Sequence, residues 1–428
     1  MSGAAPGASA PSRAPYALIV LLGAALMINY VDRGTISTAA PLLEKELGLT
    51  PSQLGWMLSA FFWAYVGSQP LMGWCVDRLG AARVLAAGFS LWSVSTVFTG
   101  LSSGITALVA ARLFMGVGES VTYPSALALL AQRVSDRHRA RATSILQLGG
   151  MVGPALGTFL GGLLMVRYGW RAMFISLGLA SLLWLIPWVR QMRQPPVSPV
   201  PAARAASDAA AGPKFADILR QRALWGTMLG NFCSNYAFYF VFTSLPLYLV
   251  HERGLSLISM THLTAGFYVV DSVSVLATGW LLDAWIRRGA SANRAYKSAL
   301  MASAVGVGAC LLGTHGAPLG VAALLLLAAG AMDGLNAPAV CSLVQTFAGP
   351  TASGRWMGVQ NAVSNIAGVV APVVTGYLVE ATGHYDGALW LAGIVALLGL
   401  VGWMFVVPPV RPVRWRLSTE SPVPVPGL

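Results

Sequence analysis

The residues Ile28-Asn29-Tyr30-Val31-Asp32-Arg33-Gly34 place a carboxylate and a guanidinium side by side inside an apolar stretch, residues 18–42. That stretch is long enough to cross a bilayer, since about 20 apolar residues cover a hydrocarbon core of roughly 30 Å. A charge near the middle of a bilayer costs about 2.5–3.5 kcal/mol on insertion scales, so such residues face a cavity or a partner. Neighbouring helix residues point about 100° apart, so Asp32 and Arg33 must each find a partner on another helix.

Composition and charge predict a membrane protein with many spans. Only 10% of the 428 residues are charged and 56% are hydrophobic, whereas a soluble protein carries about 25% charged residues. The formal net charge is +12, and most of the 27 Lys and Arg residues fall in the termini and in one alternate set of predicted loops. By the positive-inside rule, this distribution places both termini in the cytoplasm and the protein in the cytoplasmic (inner) membrane. The basic excess reflects topology, and no nucleic-acid partner is predicted.

The cysteines and histidines give no sign of a metal site or of catalysis. Cys75, Cys233, Cys310 and Cys341 lie in or at the ends of apolar segments. Their spacing matches neither a disulfide framework nor a metal site, and no cofactor is predicted. The histidines lie in loops or at the ends of apolar segments, and no Ser or Cys is placed for a nucleophilic dyad. An enzymatic function is not expected.

Twelve apolar spans are predicted, and the longest polar interruption follows the sixth. The spans are 16–42, 52–75, 82–102, 105–131, 141–166, 171–190, 223–250, 258–286, 296–314, 317–347, 355–381 and 386–408. The Pro-, Ala- and Ser-rich composition of residues 191–222 predicts a cytoplasmic linker. The predicted organisation is a disordered tail at 1–15, an N-terminal half at 16–190, that linker, a C-terminal half at 223–408 and a second tail at 409–428. The predicted fold class is an all-α membrane protein with two six-helix halves.

Two sequence repeats relate the halves. Residues 73–83 and 279–289 both begin with Gly-Trp-x-x-Asp, and Arg follows within a few residues. Spans five and eleven share an arginine, a proline and a glycine in the same order: Arg139, Pro154, Gly161 and Arg355, Pro372, Gly376. Two matches at equivalent places indicate a parallel-repeat transporter with its substrate site between the halves, near the middle of the bilayer. Further glycines in span five, among them Gly149, Gly153 and Gly157, predict close contact with a neighbouring helix.

With these motifs the chain resembles the major facilitator superfamily over nearly its whole length. Residues 73–83 match the superfamily signature Gly-x-x-x-Asp-Arg-x-Gly-x-x-Arg. Within the superfamily, residues 29–33 are similar to the anion:cation symporter family, which includes bacterial hexuronate, galactonate and glucarate transporters. Supporting matches are Arg112 and Glu119-Ser120-x-x-x-Pro124 in span four, with Asn361 and Gly376-Tyr377-Leu378 in span eleven. The resemblance implies the twelve-helix major facilitator fold and transport of an organic anion.

Span four carries two further charges. Arg112 and Glu119 lie about two turns apart on one helix face. Their depth in the membrane matches that of Asp32 and Arg33 in span one, and Tyr65 of span two lies close to the midplane. We expect Arg112 to pair with Asp32 or Glu119, which leaves Arg33 free to face a ligand.

Charge balance among these four residues predicts a mechanism. They sum to zero, so an incoming organic anion makes the site negative. A proton taken up by Asp32 or Glu119 restores neutrality and frees an arginine to bind the substrate carboxylate, so proton and anion loading are coupled. The resemblance implies the same roles, with Asp32 and Glu119 as protonation sites, Arg33 as the carboxylate binder and Arg112 as its charge partner. The alternative is a fixed salt-bridge network that holds the N-terminal half together.

Polar and aromatic residues of several spans are candidates for binding the hydroxyl groups or ring of the anion. They are Tyr65, Gln147, Asn231, Tyr236, Tyr239, Asn361 and Asn365. The alternative for each is packing between helices or against lipid.

Two acids in the C-terminal half stand apart from this pattern. Asp271 in span eight and Asp333 in span ten have no Lys or Arg in their own spans. Each is a candidate second proton site or a ligand for a cationic group on a zwitterionic substrate. The alternative is an aspartate beside a water-filled cleft or at a helix end.

Charged residues at the predicted cytoplasmic helix ends are candidates for gating. They are Asp77, Arg78, Arg83, Arg139, Asp283, Arg287 and Arg355. A helix-end carboxylate that binds a facing arginine can lock the cytoplasmic side while the other side is open. The alternative is that these residues only anchor the topology.

The predicted function is proton-coupled symport of a small organic anion, such as a sugar acid or another carboxylate, by alternating access. We expect a monomer in the lipid bilayer. One alternative is an antiporter of the same fold that exports a drug or metabolite against protons, and the arginine pair argues against it by favouring an anion. Another is a transporter-like membrane sensor, which would need a folded cytoplasmic domain larger than the linker or the tail.

Overall fold

The computed structural model describes residues 16–134, 136–193, 213, 215–413 and 415, without the side chains of 136, 137, 139, 140, 350 and 351. The predicted tail at 1–15, most of the linker at 191–222 and residues 416–428 lie outside the described residues.

Helices account for almost all of the described chain. The N-terminal half contains α1 (Tyr16–Leu47), α2 (Pro51–Leu79), α3 (Ala81–Leu101), α4 (Ile105–Glu119), α5 (Thr122–Arg133), α6 (Asp136–Leu182) and α7 (Leu185–Met192). A short helix, α8 (Phe215–Leu219), precedes the C-terminal half. That half contains α9 (Arg222–His251), α10 (Leu257–Arg287), α11 (Ala292–Thr314), α12 (Leu319–Asp333), α13 (Asn336–Thr382), α14 (Asp386–Leu400) and a π-helical turn at Val401–Val406.

These helices make twelve membrane crossings, which confirms the predicted fold. Among the described residues, nine helical segments are long and apolar enough to cross a membrane. One of them, Arg141–Met192, covers two predicted spans because the chain turns at Gly169, where φ is +82°. The helices α2 and α9, with 29 and 30 residues, complete the set.

Local sequence signals place several of the helix ends. Thr50 and Gln53 form a capping box at the start of α2, with Thr50 N donating to Gln53 Oε1 at 3.0 Å and Gln53 N donating to Thr50 Oγ1 at 3.3 Å. Pro51 occupies the first helical position, where its missing N–H costs nothing. Gly349, with φ at +67°, lets the chain turn between spans ten and eleven inside α13.

Spans four and ten are interrupted at the same place, which the sequence did not predict. Both α4 and α12 are 15 residues long and end on an acid, Glu119 and Asp333. In each case two residues intervene before the next helix begins, α5 at Thr122 and α13 at Asn336. The two halves therefore share an acid at one structural step, about half-way across the bundle.

Close packing of α1 on α6 holds the charged segment of α1. A Cβ on Gly149 would lie 2.2 Å from the Gly23 carbonyl oxygen, and a Cβ on Gly157 would lie 2.4 Å from the Val31 carbonyl oxygen. The glycines of span five thus bring two backbones together, as predicted.

The two halves meet along two seams, α2 with α13 and α6 with α10. The end of the bundle that carries residues 193 and 213 is called the linker face, and the opposite end is the far face. Residues at the start of the predicted C-terminal tail pack on the linker face. Val413 N donates to the Phe347 carbonyl oxygen and Trp415 Nε1 to the Ala348 carbonyl oxygen, both at 2.9 Å.

Candidate functional site

A buried ion pair joins α1 to α4. Arg33 Nε donates to Glu119 Oε2 at 2.6 Å, and the two side chains are 7% and 0% exposed. The guanidinium lies against three rings, with centroid distances of 4.8 Å to Tyr30, 4.8 Å to Phe61 and 4.5 Å to Tyr65. Cation–π contact and a charge-assisted hydrogen bond together offset the cost of removing the arginine from water.

The expected pairing of Arg112 with Asp32 or Glu119 is wrong for this conformation, because Arg33 takes Glu119. Arg112 is buried and interacts electrostatically with both acids, but its Nε and Nη2 have no hydrogen-bond partner among the described residues. The same holds for both carboxylate oxygens of Asp32. The sequence gives the depth of a residue along a helix, but the rotation of α1 decides that Arg33 faces Glu119.

A cavity of about 260 Å³ lies between the halves. Its polar lining includes Tyr30, Gln147, Ser234, Asp271, Asp333 and Asn336. Three predicted site residues, Gln147 and the two acids, therefore share one cavity. Tyr30 belongs both to this lining and to the rings around Arg33, so its side chain links the Arg33–Glu119 pair to the cavity wall.

A smaller void of about 10 Å³ lies on the other side of the arginines. Arg33 and Arg112 line it together with Phe242 and Thr243 of α9. This volume holds at most one water molecule. The arginines thus reach the boundary between the halves, and the void that they line among the described residues is too small for an organic ligand in this conformation.

Three of the predicted substrate ligands lie in the C-terminal half and are not among the described residues that line the large cavity. Asn231 Nδ2 donates to Ser364 Oγ at 2.7 Å and so links α9 to α13. Tyr236 is 5% exposed, and Asn361 is exposed. In this conformation the Asn231 side chain therefore holds α9 against α13.

Tyr239 and Asn365 form a contact at the boundary of the halves. The Tyr239 hydroxyl donates to Asn365 Oδ1 at 2.6 Å. The Tyr239 ring packs edge-on against Phe62 of the other half, with centroids 4.7 Å apart. These predicted ligands therefore lie between the halves but outside the described lining of the large cavity.

The far face is closed by polar contacts across the halves. His251 Nε2 on α9 lies 2.9 Å from Glu44 Oε2 on α1. Ser52 N on α2 donates to Glu380 Oε2 on α13 at 3.1 Å. These bonds join the corner between α1 and α2 in the N-terminal half to the last turns of α9 and α13 in the C-terminal half.

Glycines bring the backbones of the halves together at the same face. A Cβ on Gly55 would lie 2.4 Å from the Pro372 carbonyl oxygen, and a Cβ on Gly376 would lie 2.5 Å from the Pro51 carbonyl oxygen. Contacts this close leave no path for a ligand between α2 and α13.

The predicted gating residues lie at the linker face. Asp77, Arg78, Arg83, Asp283 and Arg287 are exposed there, and within the described part of the chain none of them forms an ion pair. Arg355 Nη1 donates to the Pro213 carbonyl oxygen at 2.6 Å, and the side chain of Arg139 is outside the described residues. The closed far face and the exposed charges at the linker face describe one end state of a two-sided transporter.

Sequence reasoning missed several polar residues of the cavity, which are Tyr30, Tyr123, Ser234, Asn235, Tyr268 and Asn336. Two of them carried a usable signal. Tyr268 lies one turn before Asp271 on α10, and Asn336 follows the interruption after Asp333, so each accompanies an acid that the sequence had singled out. The interruption itself has no sequence signature beyond nearby glycines.

Relatives of similar length are transporters of organic acids. The chain is 26% identical over 424 residues to the D-galactonate transporter of Escherichia coli, with 94% of this chain and 98% of the relative covered. It is 27% identical to the hexuronate transporter of Bacillus subtilis, covering 95% and 98% of the two chains. It is 31% identical to the probable sulfoacetate transporter of Cupriavidus necator, covering 92% and 93%. The resemblance to hexuronate- and galactonate-type transporters is confirmed.

Solved structures share the fold. A bacterial homolog of the human lysosomal transporter Spinster, in an inward-facing and unoccupied conformation, matches with a TM-score of 0.72 at 19% identity, covering 94% of this chain and 96% of that one. The D-xylose–proton symporter matches with a TM-score of 0.71 at 18% identity, covering 92% and 98%. The model of the Major Facilitator Superfamily matches residues 22–292 and 263–426. The chain is therefore a multi-pass membrane transporter, not an enzyme, and belongs to the Major Facilitator Superfamily.

Proposed function

We propose that this transporter imports a small organic anion together with protons by alternating access. The observation that carries the proposal is the Arg33–Glu119 pair, 2.6 Å long and buried behind Tyr30 at the wall of the central cavity. Relatives named for galactonate, hexuronate and sulfoacetate support an acid as the substrate.

The Arg33–Glu119 pair couples binding of the proton to binding of the organic anion, because both act on Arg33. While Glu119 is ionised it holds Arg33, and a substrate carboxylate competes with it for the guanidinium. A proton on Glu119 breaks its charge-assisted hydrogen bond to Arg33 and frees the guanidinium to bind the substrate carboxylate. Asp32 and Arg112 lie close by without hydrogen-bonded partners among the described residues, and an unpaired buried charge is costly. Asp32 is therefore the second place where a proton is taken up, and Arg112 neutralises whichever acid is charged.

Alternating access then follows from the two faces. The substrate leaves through the linker face in the present conformation, and we place that face in the cytoplasm with both termini, in the cytoplasmic membrane. When the linker face closes, we expect the exposed acids Asp77 and Asp283 to pair with arginines of the facing helices. We expect the transporter to act as a monomer.

The test is uptake into proteoliposomes under an imposed inward proton gradient, with labelled D-galactonate, D-glucuronate and sulfoacetate. Wild-type protein should accumulate at least one of these acids. Arg33→Ala should abolish uptake because the carboxylate loses its partner. Glu119→Gln should keep counterflow exchange but lose proton-driven accumulation, because Arg33 is then free at every pH.

Asp386→Asn is the matched control and should leave uptake unchanged, since among the described residues this half-buried acid near the far face forms an ion pair with His315 alone, at 3.3 Å. If no acid moves in the wild type, or if Arg33→Ala transports normally, the coupling mechanism is wrong and export against protons becomes the better explanation.

A further inference from the structure

The C-terminal half repeats the charged site of the N-terminal half with different residues. Asp333 ends α12 as Glu119 ends α4, each after 15 residues of helix and before a two-residue interruption. When the prolines inside α1 and α9, Pro41 and Pro246, are aligned, the counterpart of Arg33 is Phe238.

The third position follows from the repeated Gly-Trp motif. When Gly73 is aligned with Gly279, the counterpart of Tyr65 is Asp271. The N-terminal half thus combines a cation, an acid and an aromatic ring, whereas the C-terminal half combines an aromatic ring and two acids. All three residues of the C-terminal set, Phe238, Asp271 and Asp333, line the central cavity.

The two acids are held close together by the crossing of α10 and α12. A Cβ on Gly334, the residue after Asp333, would lie 2.7 Å from the Asp271 carbonyl oxygen. Ser274 Oγ on α10 donates to the Ala331 carbonyl oxygen on α12 at 2.6 Å. The spacing of these backbones leaves little freedom for the acids to move apart.

No positively charged side chain among the described residues pairs with Asp271 or Asp333. The described residues that line the cavity include no Lys, Arg or His, and neither acid takes part in an ion pair within the described part of the chain. Arg33, the basic group across the Tyr30 ring, is already bound to Glu119. Two ionised carboxylates without a positive partner are costly, so they must either take up protons or bind a cation that enters from outside.

Two largely buried polar side chains, Asn336 and Tyr268, line the cavity beside the acids. Asn336 is 8% exposed and its Nδ2 donates to Ser234 Oγ at 2.8 Å. No hydrogen bond to its Oδ1 is found among the described residues, so that oxygen is available as an acceptor. The Tyr268 side chain, 2% exposed, lies in electrostatic range of both acids. Carboxylates, an amide oxygen and aromatic rings together are the groups that bind an alkylammonium ion.

We propose that Asp271 and Asp333 form a subsite for a positively charged amino group of the substrate, which makes the substrate an amino-substituted acid. The inference rests on the proposed function, because the carboxylate of the same molecule is assigned to Arg33. The space favours an organic cation over a bare metal ion, since the acids open onto a cavity of about 260 Å³ rather than a tight cage of oxygens. In the loaded state the ammonium lies between Asp271 and Asp333, the counterparts of Tyr65 and Glu119, with the ring of Phe238 beside it.

The test compares matched ligands that differ only in the amino group. D-galactonate, 2-amino-2-deoxy-D-galactonate and the carboxylate-free amine D-galactosamine are titrated against purified full-length protein in a sodium-free potassium phosphate buffer. Binding is measured by ligand-induced thermal stabilisation and by isothermal calorimetry. Wild-type protein should bind 2-amino-2-deoxy-D-galactonate roughly tenfold or more tightly than D-galactonate. This is the difference in affinity expected for one charge-assisted hydrogen bond.

Asp271→Asn with Asp333→Asn should remove that preference and should leave binding of plain D-galactonate equal or tighter. The single variants and Asp386→Asn, each checked for an unchanged melting temperature without ligand, control for folding. Equal binding of the two acids by wild type, with no effect of the double variant, overturns the subsite and leaves the proposed function intact.

Two other outcomes are equally distinct. Binding of D-galactosamine without binding of either acid would confirm the cation subsite and refute the proposed anion transport. If added sodium strengthens binding of plain D-galactonate and the double variant abolishes that effect, the cation is inorganic and the amino-acid proposal is wrong.

Discussion

The N-terminal half buries a cation with its acid, whereas the C-terminal half leaves its acids open to the cavity. Arg33 and Glu119 are joined at 2.6 Å and shielded by three rings. At the matching step of the other half, Asp333 shares the cavity wall with Asp271 and with Phe238. One half therefore carries its own counter-ion, and the other must obtain one from the ligand.

This difference shows how a duplicated architecture can divide two tasks. The backbone plan is common, down to helices of 15 residues that end on an acid in spans four and ten. Phe238 stands where the other half has Arg33, and Asp271 stands where it has Tyr65, so a neutral site becomes a site with two acids. Because buried charge must be balanced, these two differences leave the acids to be balanced by the ligand.

The largest expected effect comes from disturbing the close backbone contact between the two halves at the far face. In Gly376→Ala the new Cβ would lie 2.5 Å from the Pro51 carbonyl oxygen. Overpacking of this kind costs about 1–3 kcal/mol, so the far-closed state should lose population by roughly tenfold to a hundredfold. Uptake should fall accordingly.

The measurement is labelling of Ser59→Cys, in a background without the native cysteines, by a membrane-impermeant maleimide. Ser59 is buried between the halves, where its Oγ donates to the Val369 carbonyl oxygen at 3.0 Å. Labelling should rise in Gly376→Ala and stay low in the control Gly320→Ala, whose Cβ meets nothing within 4 Å. Unchanged labelling in Gly376→Ala would show that the seam does not control access.

A second prediction concerns a variant that gives the C-terminal half a cation at the position of Arg33 in the N-terminal half. Phe238→Arg places a guanidinium at the counterpart of Arg33, where it can pair with Asp333 or Asp271. The preference for an amino-substituted acid should then disappear, a loss of roughly tenfold, while D-galactonate still binds at Arg33. The conservative variant Phe238→Tyr should keep the preference. A full preference in Phe238→Arg would mean that the repeat alignment does not describe the site.

The smallest effect concerns the His251–Glu44 contact at the far face. Its hydrogen bond to Glu44 raises the pKa of His251 above the ordinary value of 6.5, while Glu252 and Tyr385 are its other neighbours. The far-closed state therefore gains stability that is fully present below about pH 6.5 and is lost as pH rises through the raised pKa. The contact is partly exposed, so a shift of about twofold is expected.

Labelling of Ser59→Cys against pH checks this point. In the wild-type background it should rise modestly from pH 6 to pH 8.5, and in His251→Gln it should be flat apart from the intrinsic reactivity of the thiol. A slope that survives in His251→Gln would assign the pH dependence to another group.

Much of the fold could be predicted because a membrane-spanning helix requires a long apolar stretch that is visible in the sequence. The apolar spans, the glycine contacts of α6 and the repeated Gly-Trp-x-x-Asp loops correspond to features of the structure. The interruption after Glu119 could not be predicted, since residues 105–131 form one predicted span apart from the charges of Arg112 and Glu119, and the step depends on how α4 packs. The pairing of Arg33 with Glu119 was missed for a related reason, since two residues at one depth can face in any direction around their helices.

The sequence by itself determined the twelve crossings, the superfamily and the set of charged residues that a bilayer would not tolerate without partners. Hydropathy and motif spacing are sufficient for these, because each depends on residues close together in the chain. Only the tertiary structure decided that Arg33 is already paired, that Gln147, Asp271 and Asp333 share a cavity, and that the far face is closed. Those facts depend on the rotation and contact of helices that are far apart in sequence, and packing between the halves sets them.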